Sequence, residues 1–274
     1  MKNDNRPIGI FDSGLGGLTA VTCISQMMPN ERFIYFGDTA RTPYGSKSLD
    51  NIKKFSLQIT DFLVERGAKV IVIACNTVSA TCINDLRKRY LNIPVLGIIE
   101  PTAKIVAEEY VDSKRIGVIG TKVTVDSKQY QILIKSINKN CKVYSKACPL
   151  FVPMIEEGMK DIYIKRDIVR YYLDLFLKEN NITDLILGCT HYPLLQDIIE
   201  DLYPKLRIIN PSEIIAEKTK DILTNGNMLA EKNNIKSHFY ASDLSESFVS
   251  MIDSILPEKQ ITVNFINFEN SEEV

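Results

Sequence analysis

Short runs of β-prone apolar residues alternate with longer amphipathic stretches over most of the chain, and that alternation leaves few architectures open. The runs fall at residues 7–11, 32–36, 70–74, 95–98, 116–119, 143–147, 185–187 and 206–209. Between them, apolar residues recur at helical spacing in 19–28, 49–66, 79–90, 102–110, 125–138, 165–180, 194–203 and 212–225. Strands that read as continuous apolar runs are buried on both faces, which requires helices on both sides of a parallel sheet. The expected class is therefore α/β with open parallel sheets.

The chain also echoes itself. Pro7-Ile8-Gly9-Ile10-Phe11 resembles Arg115-Ile116-Gly117-Val118-Ile119, and Ile73-Ala74-Cys75-Asn76-Thr77 resembles Leu187-Gly188-Cys189-Thr190-His191. The two offsets, 108 and 114, nearly agree, which suggests two similar α/β halves. In each half a buried strand ends in Cys followed by polar residues. Ligands of open parallel sheets bind at the carboxyl ends of the strands. If the halves face each other, the two thiols point into one cleft.

Composition narrows the function. The 274 residues carry 33 Lys plus Arg against 34 Asp plus Glu, a formal charge of -1, so no field favours a polyanion and nucleic acid is excluded as the main ligand. No run approaches the roughly 20 apolar residues of a membrane span. The polar start Met1-Lys2-Asn3-Asp4-Asn5-Arg6 lacks the apolar stretch of a secretory signal, and a cytoplasmic location is expected. Six cysteines with no Cys-x-x-Cys pair read as reduced thiols. Cys23, Cys82, Cys141 and Cys148 have neighbours that suggest packing.

Asp12-Ser13-Gly14-Leu15-Gly16-Gly17 follows the first strand and precedes a helix, so its backbone N–H groups suit a carboxylate or phosphate. It is not a dinucleotide fingerprint, because Thr19 stands where the third glycine would be. Cys75 alone reads more readily as core than as catalyst, but Thr77 and Ser79 just beyond it suggest a cleft. Cys189-Thr190-His191-Tyr192-Pro193 concentrates a thiol, a hydroxyl, an imidazole and a phenol that a packed core rarely tolerates. Cys189 and His191 are too few for a closed zinc site, and the only other histidine is His238, in the tail. A Cys–His hydrolase would leave the second cysteine without a role. The segment Arg41-Thr42-Pro43-Tyr44-Gly45-Ser46 reads either as a ligand-gripping loop or as a surface turn, and Glu156-Glu157-Gly158 reads as a helix end. The tail beyond 225 either completes the first half or forms an appendage; periodicity does not decide.

At these loops the chain resembles the glutamate racemases, within the wider aspartate and glutamate racemase superfamily. The matching pieces run in order from Gly9-Ile10-Phe11-Asp12-Ser13-Gly14-Leu15-Gly16-Gly17 through Asp38-Thr39-Ala40-Arg41-Thr42-Pro43-Tyr44-Gly45, Ala74-Cys75-Asn76-Thr77 and Gly97-Ile98-Ile99-Glu100-Pro101 to Gly188-Cys189-Thr190-His191-Tyr192-Pro193. The resemblance implies that Cys75 and Cys189 are the catalytic pair, assisted by Asp12 and His191, with Glu156 as a further carboxylate. It implies substrate contacts at Asp12, Ser13, Tyr44, Gly45, Asn76, Thr77, Thr190 and His191, with Thr121 as an addition. It also implies two pseudo-symmetric open parallel-sheet α/β domains facing each other across a central cleft, residues 1–97 plus 210–274 and residues 98–209. A homodimer, and D-glutamate supply for peptidoglycan synthesis and hence cell shape, belong to the same implication.

The chemistry fits a pair of thiols. Inverting an α-carbon removes a proton from one face and returns one to the other, which two opposed acid/base groups achieve, one starting as thiolate and one as thiol. A free thiol, with a pKa of about 8.5, is mostly protonated at neutral pH, so neighbours must assist. Asp12 for Cys75 and His191 for Cys189 are the expected assistants, with helix starts after both strands adding positive ends. Paired thiols make a cofactor unnecessary, and none is expected; nor is a metal. The alternatives are an aspartate or other amino-acid racemase, and, from another class, a non-catalytic regulatory binding protein.

Overall fold

The computed structural model describes residues 4–109, 115–231, 236–255, 261–266 and 268. Position 110 of the 102–110 stretch, residues 1–3, and residues 232–235, 256–260, 267 and 269–274 of the tail lie outside the described residues.

Strand and helix alternate as the apolar pattern requires. Strand β1 (Ile8–Asp12) leads to α1 (Leu18–Met27), β2 (Phe33–Gly37) to α2 (Leu49–Glu65), and β3 (Val70–Ile73) to α3 (Asn76–Thr81) and α4 (Ile83–Arg89). Next come β4 (Val95–Gly97) and α5 (Ile99–Glu109). The second series is β5 (Arg115–Gly120), α6 (Lys122–Ser127), α7 (Gln129–Ile137), β6 (Lys142–Ala147), α8 (Phe151–Glu156), α9 (Ile162–Asn180), β7 (Asp184–Gly188), α10 (Gln196–Leu202), β8 (Arg207–Ile209) and α11 (Pro211–Asn225). The tail adds β9 (Ser237–Ala241), α12 (Glu246–Ile255) and β10 (Ile261–Phe265).

Two parallel sheets result, one in the order β10-β9-β2-β1-β3-β4 and one in the order β6-β5-β7-β8. With the tail strands set aside, the orders β2-β1-β3-β4 and β6-β5-β7-β8 are the same arrangement. The sequence echo thus maps central strand β1 on β5, and β3, which leads to Cys75, on β7, which leads to Cys189. Strands β9 and β10 extend the first sheet beyond β2, with Ile34 beside His238 and Phe36 beside Tyr240. The burial of β1, β2, β3 and β7 is complete along their lengths, which is what unbroken apolar strands predict.

Two helices read as continuous are broken. The 79–90 stretch divides at Cys82 into α3 and α4, and the 125–138 stretch divides at Lys128, whose φ of 56° is left-handed. Amphipathic spacing survives both breaks, so periodicity could not reveal them. Opposite the carboxyl ends of the first sheet, Lys69 is clasped by the Glu31 carboxylate at 2.7 Å and by the carbonyl oxygens of Asp4 and Met228, both at 2.7 Å. That buried cation ties the chain's start and the segment after α11 to the same sheet.

Candidate active site

Asp12 ends β1 inside the molecule, fully buried. Its Oδ2 accepts the backbone N–H groups of Gly14 at 3.2 Å and Gly17 at 2.9 Å. The glycine loop therefore folds around Asp12 itself, and two of the N–H groups expected to meet a ligand are already used. Only glycine fits at position 17: a Cβ there would lie 2.3 Å from Cβ of Asp12. Burial pushes the Asp12 carboxyl above its ordinary value, against the opposing influence of His191 and of these hydrogen bonds.

Cys75 caps the short helix α3 and is 3 % exposed, its Sγ 3.5 Å from the Ser13 hydroxyl. Burial, with the negative charge of Asp12 second, pushes its thiol up to about 12. Asp12 acts on Cys75 through its field; its direct side-chain bonds run elsewhere, to Thr190 Oγ1 at 3.2 and 3.3 Å.

The Cys189 side is built differently. The helix expected straight after it begins only at Gln196, behind a 3-10 turn over Tyr192–Leu195, so no helix start meets the sulfur. Instead, Sγ of Cys189 lies 3.8 Å from Nδ1 of His191, and Nε2 of that ring lies 2.8 Å from Oε1 of Glu156. Burial alone would disfavour the imidazolium, but the bonds to Cys189 and Glu156 outweigh it and raise His191 to about 10. At neutral pH a cation thus stands beside one sulfur and a buried acid beside the other. Glu156 ends α8 and also accepts from Thr42 Oγ1 at 3.3 Å, across the gap between the two sheets' loops.

Both cysteines line one narrow cavity, together with Ser13, Tyr44, Gly45, Asn76, Thr77, Thr121, Thr190 and His191. Every substrate-contact residue suggested by the sequence lies on this wall except Asp12, which stands behind it. Glu156 reaches the cavity through His191. Thr42, Pro43 and Val152 complete the lining without having been singled out as contacts. The first two lie in the 41–46 segment, read either as a ligand-gripping loop or as a surface turn, whereas Val152 sits on α8, the helix that ends at Glu156. Tyr44 is anchored from behind: its hydroxyl donates to Asp38, which also accepts from Ser242 Oγ at 2.7 Å and Arg41 Nε at 2.9 Å. Among the described residues there is no group of three or more His, Cys, Asp or Glu placed to hold a metal, and no helix long and apolar enough to cross a membrane.

Residues 19–219 match the family model of Asp/Glu/Hydantoin racemase. A glutamate racemase of Chlorobium phaeobacteroides is 44% identical over 257 residues, 93% of this chain and 93% of that protein. One of Geobacter metallireducens is 42% identical over 98% of this chain and 99% of its own length. Among solved structures, the glutamate racemase of Francisella tularensis in complex with D-glutamate superposes with a TM-score of 0.88 at 37% identity, covering 96% of this chain and 98% of that one. The isoform RacE1 of Bacillus anthracis, also a glutamate racemase, gives 0.90 at 34% identity, covering 97% and 99%.

Proposed function

From the chain's membership of the Asp/Glu/hydantoin racemase family, we propose that it is a glutamate racemase, interconverting L- and D-glutamate with Cys75 and Cys189 as the two acid/base groups. The observation that carries the mechanism is the single cavity walled by both thiols, one from each sheet.

In this reading the two sulfurs stand in unlike electrostatic surroundings. Cys75, held protonated by burial and by Asp12, starts as the donor. Cys189, with the His191 imidazolium 3.8 Å away where negative charge must be carried, starts as the base. Cys189 thiolate takes the α-proton, the electron pair is left on the α-carbon, and the Cys75 thiol protonates the opposite face. After one turnover the sulfurs have exchanged states, and the reverse reaction uses the same groups with roles reversed. Glu156 keeps the imidazole oriented and charged. The weakly acidic α-proton demands further stabilisation of the carbanion, which exclusion of water from so narrow a cavity and the hydroxyls of Ser13 and Thr77 would provide.

The finer parts of the proposal are that no cofactor takes part, that the substrate-binding set is the one named above, and that the lobes are 1–97 with 210–274 and 98–209. So are a cytoplasmic homodimer and a role in supplying D-glutamate to peptidoglycan. Incubating the purified protein with single L-amino acids and following optical rotation tests the substrate: glutamate is expected to lose its rotation fastest. Equal or faster loss with aspartate would overturn the glutamate assignment and leave the thiol mechanism standing.

A further inference from the structure

Asn76 follows Cys75, lines the cavity and is 3 % exposed. Its Oδ1 accepts the hydroxyl of Tyr130 at 2.7 Å, while its Nδ2 is buried without a hydrogen-bond partner among the described residues. A buried amide donor left unpaired is costly, and such a group at a cavity wall calls for an acceptor from the ligand.

Tyr130 comes from the other side of the cleft. It sits on α7, 2 % exposed, and packs behind the strand that leads to Cys189: a Cβ on Gly188 would stand 3.4 Å from Cε2 of its ring. Burial keeps the phenol protonated. The phenol donates its hydrogen to Asn76 Oδ1, while the nearby Thr102 hydroxyl donates its own to the carbonyl oxygen of Ile98 at 2.7 Å. An Asn amide has two ends of nearly equal shape and opposite polarity. Fixing the oxygen end fixes the other.

We propose that Tyr130 is a positioning residue that holds the Asn76 amide with its NH2 turned into the cavity, where it donates to a carboxylate of the bound amino acid. The inference rests on the racemase reading and deepens it. Without the phenol hydrogen the amide is free to turn, presenting its carbonyl oxygen to the carboxylate instead. Because a carboxylate is present in substrate and transition state alike, the loss appears in KM and not in kcat.

The test is Tyr130→Phe, which removes one oxygen and keeps the ring. KM for glutamate is expected to rise about tenfold with kcat changed less than about twofold. In a cycle with Asn76→Ala, the double variant is expected to be no worse than Asn76→Ala alone, a result a purely packing role for Tyr130 would not give. Asn76→Asp adds an independent reading: it still accepts from Tyr130 but offers an oxygen where the NH2 was, and KM is expected to rise more than in Tyr130→Phe. A Tyr130→Phe KM within twofold of the parent, or effects that multiply in the double variant, overturn the proposal; should Tyr130→Phe not fold, an unshifted KM in Asn76→Asp does so. If the parent chain turns over a different amino acid, the comparison is made with that one, since every amino acid carries the α-carboxylate. Absence of any turnover by the parent overturns the racemase reading and this inference together, whereas normal parent turnover with an unshifted variant overturns this inference alone.

Discussion

Replacing Glu156 by Gln removes one charge and little volume, and its effect can be worked from two distances. The Glu156 carboxylate lies 2.8 Å from Nε2 of His191, and the same ring reaches Sγ of Cys189 at 3.8 Å. A hydrogen bond between charged partners contributes about 1.5–3 kcal/mol and a neutral one about 0.5–1.5, so the substitution weakens the hold on the imidazolium by roughly 1–2 kcal/mol. At 1.36 kcal/mol per pKa unit, that lowers the His191 pKa from about 10 by roughly one unit. The sign follows from the raised pKa: the cation is present below it and lost as pH rises through it. The alkaline limb of the activity profile should therefore move to lower pH in Glu156→Gln. Near neutral pH the imidazolium persists in the variant and kcat changes little, whereas the loss grows with pH and approaches about tenfold, the ratio set by one pKa unit, on the alkaline side. Since the two enantiomers of glutamate are equally stable in water, kcat/KM must fall by one factor in both directions. Circular dichroism at a series of pH values, started from each enantiomer, gives both quantities. A variant within twofold of the parent on the alkaline side and with an unmoved alkaline limb would refute the role given to the His191–Glu156 pair.

Cys75→Ser and Cys189→Ser are each expected to lower racemisation by at least about 10²- to 10⁴-fold, the usual contribution of an acid/base group, with unchanged far-ultraviolet circular dichroism; normal turnover in either would end the two-thiol mechanism. Gly16→Ala should cost activity too, because its Cβ would lie 2.5 Å from Nδ1 of His191 and force the ring off its line to Cys189. A displacement on the order of 1 Å can cost about 100-fold, and a variant with parental kcat would show that the ring's place is not critical. Lys69→Met leaves the buried Glu31 carboxylate without its cation and should destabilise the fold by about 3–5 kcal/mol in urea titrations, with activity per folded molecule preserved. A loss below about 0.5 kcal/mol would show that Lys69 is not the clasp described.

Much of this was legible because it depends on local patterns. Each strand read from the first 209 residues exists within a residue or two; β1, β2, β3, β4 and β7 are buried along their lengths and read as apolar runs, while the partly exposed β6 and β8 were marked by their β-prone residues. The cysteines were legible as a pair because both lie just past such strands, where any parallel sheet opens toward a ligand. What escaped depends on contacts remote in sequence. Tyr130 looks like one more aromatic on the apolar face of α7, and its partner Asn76 is 54 residues away. Glu156 was visible as a helix end, but its contact with His191, 35 residues on, was not. The break at Lys128 has no glycine or proline to announce it, and α8 carries Pro153 in its first turn, where proline is tolerated. The expected helix start behind Cys189 failed for a related reason: Pro193 initiates a 3-10 turn first, and the positive charge at that sulfur comes from a side chain.

The two-thiol account is tested most directly by running the reaction in deuterium oxide and analysing both enantiomers of glutamate early in the time course, from L- and from D-glutamate. With one thiol removing the proton and another, equilibrated with solvent, delivering its own, the product should carry deuterium at the α-carbon while recovered substrate stays protiated. Product that retains the original proton, or deuterium entering recovered substrate as fast as product, would mean that a single base works on both faces and would contradict the assignment of Cys75 and Cys189 as opposed partners.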